Sequence, residues 1–364
     1  MSNARKLAAN LPTEGSLSGR NLIINGGMTV AQRGSSQTGI GIDTFTNVDR
    51  FRQFASVGGM VGRSTSTQET ITDLNGFTKA LKLQVTTADT SVGATELYGL
   101  NTRLEADDIS RLGIGTANAQ AITHSFYAKA PTGGGVFSAG ISMPGGGNYF
   151  EEVTIGTSWA RHEIIIPATT TSSHATTATG TAGGIEIHIT LMAGSSYRTL
   201  PNKTWSAGGN NRACSNQTNF YSSTSNNLFI TGVQLEVGSQ ASPFEHEPVG
   251  VTLRKCQRYL IDLTPNSGTT PYIPGTAAAA TSNIAVAHVA FPVQMRATPA
   301  LVMTAGNYRI YNGGTHTVTA VQINGMSPVG GGINFSANGG LTTGQAAGVY
   351  STSTGVRTFC IAEL

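Results

Sequence analysis

The chain has 364 residues, with 46 glycines, 11% charged residues, 39% hydrophobic residues and a net charge of +3 at pH 7. That length allows about two or three domains. So weak a net charge, with no basic run interleaved with aromatics, excludes the strong field that nucleic-acid or membrane-surface binding draws on. No apolar stretch approaches the ~20 residues of a membrane helix, and residues 1–20 lack the apolar core of a signal peptide. Cys214, Cys256 and Cys360 lie too far apart in sequence for a metal site, and an odd, sparse set is no disulfide framework. They read as reduced thilos of a protein made in a reducing cytoplasm.

Abundant Gly, Ser, Thr and β-branched residues, with turn signals every ten or so positions, predict an all-β protein. Residues 1–20 are polar. Asn3 caps a predicted short helix through Asn10, with Leu7 and Leu11 one turn apart. A helix this short needs a docking partner in order to persist. Residues 21–33 read as two short strands around Gly26-Gly27, with another strand starting at residues 48–52. Residues 79–85 and 122–129 alternate cleanly. Residues 136–143 form a strand between two triple-glycine loops, and Trp159, read as core, opens the next strand at 162–166. Residues 168–184 are a low-complexity loop expected to be mobile. Residues 184–191, GIEIHITL, alternate so that His188 faces away from Ile187 and Ile189. Residues 202–227 are a polar excursion, and Phe229, Thr231, Val233, Leu235 and Val237 mark the strand that closes the domain.

Gly238 and Pro243 stop that strand. Beyond Pro248 the pattern turns helical, with Val251, Leu253 and Cys256 as its apolar members. After Thr264 the composition loosens into a second β region. Its strands are expected at 284–293, 300–304, 318–323 and 358–362, and Gly330-Gly331-Gly332 is expected to be a loop. Residues 21–248 hold roughly eight to ten strands without intervening helices, which fits an antiparallel jelly-roll sandwich. The predicted organisation is an attachment or oligomerisation segment at 1–20, a jelly roll at 21–248, a helical joint at 249–263 and a smaller β-sandwich at 264–364.

Six segments occur together in this order: NLIINGGMTVAQRG, VDRFR, HSFYAKAP, SWARHEIIIP, FITGVQLEVGSQASPFEHEPVGVTLRKCQRYL and FPVQMRATPAL. Together they resemble a family of tailed-bacteriophage virion proteins, the tail-fibre or minor structural proteins that carry a jelly roll like those of carbohydrate-binding modules. The resemblance covers residues 20–300 or so. It is most specific through Phe244-Glu245 and Cys256-Gln257-Arg258-Tyr259. It implies a homotrimer on the phage particle, displayed for host-surface binding and attached to other virion proteins. Such jelly rolls often hold a structural calcium through carboxylates. The matching places here, Met28-Thr29 and Gly232, carry none, so no metal is expected.

The candidate sites follow from what a glycan needs, namely exposed aromatic faces beside amides and hydroxyls. Trp205, in the polar loop PNKTWSAGGNN, is the leading candidate, with Tyr149, Phe150, Tyr197 and Tyr221. Tyr308 and Tyr311 in NYRIYNGGTH are expected to decorate a tip of the second module. Leu7, Leu11, Val251, Leu253 and Cys256 are the expected oligomer contacts, the last three about a threefold axis. The acidic pairs Asp107-Asp108 and Glu151-Glu152 are neighbours in sequence and point apart on a strand. They do not offer the facing carboxyls, ~5 or ~6.5–9.5 Å apart, that glycoside hydrolysis requires. The seven histidines show no metal-ligand spacing. The reading is therefore a non-catalytic protein without cofactor that binds a host-surface glycan. A purely structural fibre, decoration or tail-adaptor protein and a polysaccharide depolymerase are its two alternatives.

Overall fold

The computed structural model describes residues 19–41, 43–55, 61–208, 212–264, 272–273, 275–353 and 355–364. The expected helix with Leu7 and Leu11 lies outside these residues. The chain divides into two compact units, Met1–Val249 and Gly250–Leu364.

In the first unit the strands are β1 (Ser36–Ile40), β2 (Thr44–Phe45), β3 (Arg52–Ala55), β4 (Arg63–Thr70), β5 (Lys79–Thr87), β6 (Leu97–Glu105), β7 (Ile122–Thr132), β8 (Gly135–Ser142), β9 (Gly147–Ile155), β10 (Ala160–Ile166), β11 (Gly183–Ala193), β12 (Thr204–Ala207) and β13 (Asn227–Val237). They form two antiparallel sheets, ordered β1-β4-β5-β13-β7-β10 and β12-β9-β8-β11-β6-β3-β2. From β5 to β8 each successive strand lies in the other sheet, which gives a sandwich of jelly-roll type. Alternation dictates what lies between the sheets. Phe126, Ala128 and Ala130 of β7 face Phe137, Ala139 and Ile141 of β8 and Ile185, Ile187 and Ile189 of β11 in one core. Residues 21–33, expected as two strands, form turns instead, because Asn25 folds them locally. Its Nδ2 donates to the carbonyls of Val30 and Asp49 at 2.9 and 3.0 Å, and its Oδ1 accepts from Val30 N at 3.0 Å. Gln68 Nε2 donates to the Met28 carbonyl at 2.7 Å. Around Met28 and Val30, carbonyl oxygens are thus met by side-chain amides.

The core also holds a histidine. His124 on β7 is fully buried, and neither ring nitrogen has a hydrogen-bond partner. It lines a cavity of about 10 Å³ with Phe51, Thr102, Ile187 and Ile230, roughly the room for one water. Burial pushes the imidazole down to about 3.

After β13 the chain returns along the sandwich. Phe244 packs at 5.2 Å from Phe77 and 4.9 Å from His246. The Glu245 carboxylate accepts from Gly19 N and Asn21 N at 2.6 and 2.7 Å. This is the stretch on which the family resemblance is most specific.

The second unit opens with the helix Val249–Gln257. The expected helix to residue 263 is shorter, because Leu260–Asp262 pairs as β14 with the chain's last strand. The remaining strands are β15 (Thr276–Thr281), β16 (Ile284–Ala290), β17 (Ala300–Val302), β18 (Tyr308–Tyr311), β19 (Thr315–Thr317), β20 (Ala320–Ser327), β21 (Gly330–Ser336), β22 (Ala346–Ser351) and β23 (Phe359–Ile361). A seven-stranded sheet, β19-β18-β22-β15-β16-β21-β20, accompanies a three-stranded sheet, β14-β23-β17. Ile261, Cys360, Tyr308, Ile310, Ile333 and Phe335 share their core. The predicted loop at Gly330-Gly331-Gly332 is a strand. A Cβ at Gly330 would lie 2.4 Å from the Val289 carbonyl oxygen and one at Gly331 2.6 Å from Met326 Cα, so only glycine lets these backbones approach.

Candidate functional site

The outer surface of the seven-stranded sheet is built by strict alternation. On β18, Tyr308 and Ile310 point inward while Arg309 and Tyr311 point outward. Tyr311 stands opposite Gly348 of β22 and Arg309 opposite Tyr350, so Gly348 and Tyr350 share that outer face. On the other side Tyr311 and Arg309 stand opposite Thr315 and Thr317 of β19. Tyr272, bridged to Tyr350, completes the group. Its ring rests on Gly348, where an added Cβ would come within 2.8 Å of Cε1. The glycine therefore makes the seat that lets Tyr272 lie low on the sheet while remaining open to solvent.

Tyr272 is 60% exposed and Tyr311 56%. Tyr350 is half-buried between them, its ring 5.3 Å from that of Tyr272 at an interplanar angle of 42°, and its hydroxyl is 3.5 Å from Thr315 Oγ1. The Arg309 guanidinium donates to the carbonyls of Gly306 and Tyr308 at 3.2 and 2.9 Å, which holds it against its own turn. Along the same face run the exposed Thr276, Ala278, His288, Gln322 and Asn324. Asn324 Nδ2 donates to Asn334 Oδ1 at 3.1 Å. The face thus offers tilted tyrosine rings, small residues that leave them uncovered, and amides and hydroxyls nearby. Rings placed this way can cover the C–H face of a flat, hydroxylated ligand while their hydroxyls hydrogen-bond its edge.

Of the aromatic residues singled out in the sequence, only Tyr311 belongs to this group, and Tyr272 and Tyr350 were missed. Tyr272 lies in a Pro/Ala/Thr/Gly stretch without periodicity. The alternation of Gly348 and Tyr350 in AAGVYS was the available signal. The expected surface role is corrected at four positions. Tyr221 is fully buried, stacked on Tyr98 at 4.5 Å, hydrogen-bonded to Gln53, and desolvation pushes its phenol well above the usual range. Tyr149 is buried in the sandwich core, with Oη donating to the Ile165 carbonyl at 3.2 Å. Phe150 on the opposite face is also buried, because Leu200 and Cys214 cover it. Tyr308 fills the core of the second unit and hydrogen-bonds Thr358. Trp205 is half-buried. His174 stacks on it at 5.1 Å and 13°, and its indole N–H donates to the Pro167 carbonyl at 2.8 Å, so on the edge strand β12, where a loop was expected, it packs against the sandwich. Tyr197 is half-buried against Phe54 and Leu97.

Trp159, read as core, sits half-buried at the edge of the other sheet, with Nε1 donating to Asp73 at 2.9 Å and Lys129 Nζ 4.9 Å above its ring. In the helix, Val251 is 44% exposed and Leu253 half-buried. Cys256 is fully buried within its own chain, one turn from buried Thr252, which removes it from any threefold contact. Glu151 pairs with Lys203 at 2.7 Å, and Glu152 accepts from Asn216 at 3.1 Å, so this acidic pair is engaged in holding loops. Among the described residues, no group of three or more His, Cys, Asp or Glu is arranged to hold a metal ion.

No protein-family model matches the chain, and no curated protein matches it. Among solved structures it is similar to a family 11 carbohydrate-binding module of the cellulase Lic26A-Cel5E of Clostridium thermocellum, at 11% identity and TM-score 0.28, covering 57% of this chain and 96% of that one. It is also similar to the CBM22-1 xylan-binding domain of Paenibacillus barcinonensis Xyn10C, at 10% identity and TM-score 0.27, covering 57% and 94%. TM-scores and identities of this size assign neither ligand nor activity.

Proposed function

We propose that the chain is a non-catalytic glycan-binding protein of a bacteriophage particle, and that the second unit engages host-surface saccharide through Tyr272, Tyr311 and Tyr350. The observation that carries this reading is the exposure of two tyrosines on one sheet face around a third, with Gly348 seating one of them. Large aromatic side chains gain free energy by burial. A tyrosine cluster left open on the face opposite the core residues Ile310 and Val349 marks a binding surface. The virion setting rests on the six sequence segments that resemble phage structural proteins, and with it come a homotrimer, attachment to other virion proteins and synthesis in the host cytoplasm.

The test is retention of the intact chain on polysaccharide from host envelopes, beside a Tyr272→Ala/Tyr311→Ala variant. Loss of about 1.4 kcal/mol or more, a tenfold weaker affinity, is expected on removing two such anchors. Equal retention of the double variant would overturn the assignment to this face. If the intact chain were retained on no envelope fraction, the purely structural alternative would replace it, and new reducing ends in the polysaccharide would restore the depolymerase.

A further inference from the structure

The outer face of the β11 sheet in the first unit carries a second cluster, independent of the tyrosine face. Glu186, His188 and Thr190 alternate onto that face. Arg103 of β6 stands opposite Glu186, Asn101 opposite His188, and Arg52 of β3 opposite Asn101. Facing positions on neighbouring strands are ~5 Å apart, so these side chains crowd one spot. The Glu186 carboxylate is the hub. It pairs with Arg103, with Arg212 NH2 at 3.1 Å and with His188 Nε2 at 2.8 Å. Arg52 Nε donates to Asn101 Oδ1 at 3.2 Å, and Arg52 NH1 is 3.7 Å from Asp43. Phe54 supports the cluster from beside it, edge-on to His188 at 4.7 Å and with Arg212 5.2 Å over its ring. Gly99, opposite Phe54, is what leaves space for that ring, since a Cβ there would lie 2.2 Å from Phe54 Cε1.

Two properties of this cluster are incomplete. The first is charge. The ion pairs of the cluster are Arg103 and Arg212 with Glu186, and Arg52 with Asp43. Three guanidinium groups therefore face two carboxylates. Burial and Arg212 keep His188 neutral at pH 7, so within these ion pairs one positive charge is left over. The second is hydrogen bonding. Asn101 and His188 are almost wholly buried, yet Asn101 Nδ2 and His188 Nδ1 have no partner, and neither do Arg103 Nε and Arg212 Nε. Buried polar groups are nearly always paired. The Arg103 and Arg212 side chains keep 28% and 21% of their surface open, which leaves an approach to the cluster from solvent.

We infer that this cluster binds one carboxylate-bearing ligand, a single negative charge whose two oxygens match the planar fork of an arginine. Arg103 and Arg212 grip the carboxylate and Asn101 Nδ2 donates to it from the floor, while neutral His188, whose Nε2–H is spent on Glu186, orients that side chain. Two sources share this chemistry, an acidic sugar and a small free carboxylate. Titration calorimetry at constant ionic strength on the intact chain separates them, using glucuronate, its neutral methyl ester, acetate and inorganic phosphate. Glucuronate is expected to bind and the ester at least tenfold more weakly. Acetate binding as tightly as glucuronate would identify a small carboxylate as the ligand. Arg212→Lys keeps the charge but loses the fork, and is expected to weaken glucuronate at least tenfold with an unchanged melting temperature. Arg212→Gln is expected to weaken it further. No carboxylate binding at millimolar concentration, equal binding of acid and ester, tighter binding of phosphate than of any carboxylate, or unchanged affinity in both Arg212 variants would each overturn the inference.

Discussion

His188 Nε2 lies 2.8 Å from Glu186 Oε2, two residues along one strand and on one face of it. Burial drives the imidazole down to about 4, Arg212 adding to the effect, although the Glu186 hydrogen bond opposes it. Burial alone would raise the Glu186 carboxyl, but its hydrogen bond with His188 and the charges of Arg212 and Arg103 outweigh that and hold it low. His124, down at about 3, adds a second buried neutral imidazole.

These three groups make stability depend on pH in one direction. An unfolded histidine protonates near pH 6.5, whereas His124 and His188 in the fold do not until about pH 3 and 4. Between those values the unfolded chain binds more protons, so stability falls as pH falls. The expected slope from these two is about 1.4 kcal/mol per pH unit for each histidine between pH 6 and pH 4.5. Glu186 adds to the loss at lower pH, because its depressed carboxyl favours the fold only while the unfolded carboxyl is also ionised. Urea unfolding midpoints across pH 7 to 4 measure this, and a flat profile would contradict it.

Replacing His124 by leucine removes a buried polar group with no partner and fills its place with carbon. His124→Leu is expected to raise stability by about 1–2 kcal/mol and to reduce the slope between pH 6 and 4.5 by about half. Denaturant unfolding of the variant at pH 7 and pH 5 checks both effects.

The alternation of GIEIHITL was legible in the sequence, including the turn of His188 away from its isoleucine neighbours. Its surroundings were not. Arg103 and Arg212 reach Glu186 from another strand and a loop, Arg52 reaches Asn101 beside them from a third strand, and convergence across strands leaves no mark on local spacing. Tyr149 and Phe150 were misread for a related reason. Adjacent strand residues point to opposite faces, and here both faces are covered, so no polar partner in the alternation marked either as buried. Gly330-Gly331-Gly332 carried a turn composition, yet contact between backbones made it a strand.

Cys214, Cys256 and Cys360 are all buried, and burial pushes the Cys214 and Cys360 thiols up to about 11 and about 12. Thiolate is the reactive form. The folded chain at pH 7.5 is expected to resist labelling by a disulfide reagent over minutes, and the denatured chain to take up three equivalents. Prompt labelling of the folded chain at any cysteine would contradict its burial.

A Gly348→Val substitution would place carbon where the Tyr272 ring rests. The face, not the core, is disturbed, so the variant is expected to unfold within about 1 kcal/mol of the parent but to lose envelope-polysaccharide retention as Tyr272→Ala does. Retention at the parental level would show that the seating of Tyr272 is irrelevant to binding.

Removing the Glu245 carboxylate by Glu245→Gln is expected to cost about 1–2 kcal/mol, because one of the two backbone N–H groups keeps only a neutral oxygen and the other faces an amide NH2 that cannot accept. Chemical denaturation of the first unit's transition measures it.

That Glu245 contact has a mechanical consequence. Gly19 and Asn21 are tied directly to Glu245, and Leu22 N donates to the Leu235 carbonyl at 2.9 Å. The places where the chain enters and leaves the sandwich are therefore side by side. A pull applied through residues 19 and 249 would pass along this short tie, and the two sheets would hang to one side of the line of force. Such a pull would strain a handful of replaceable hydrogen bonds first, while the jelly roll with its arginine cluster stayed unloaded.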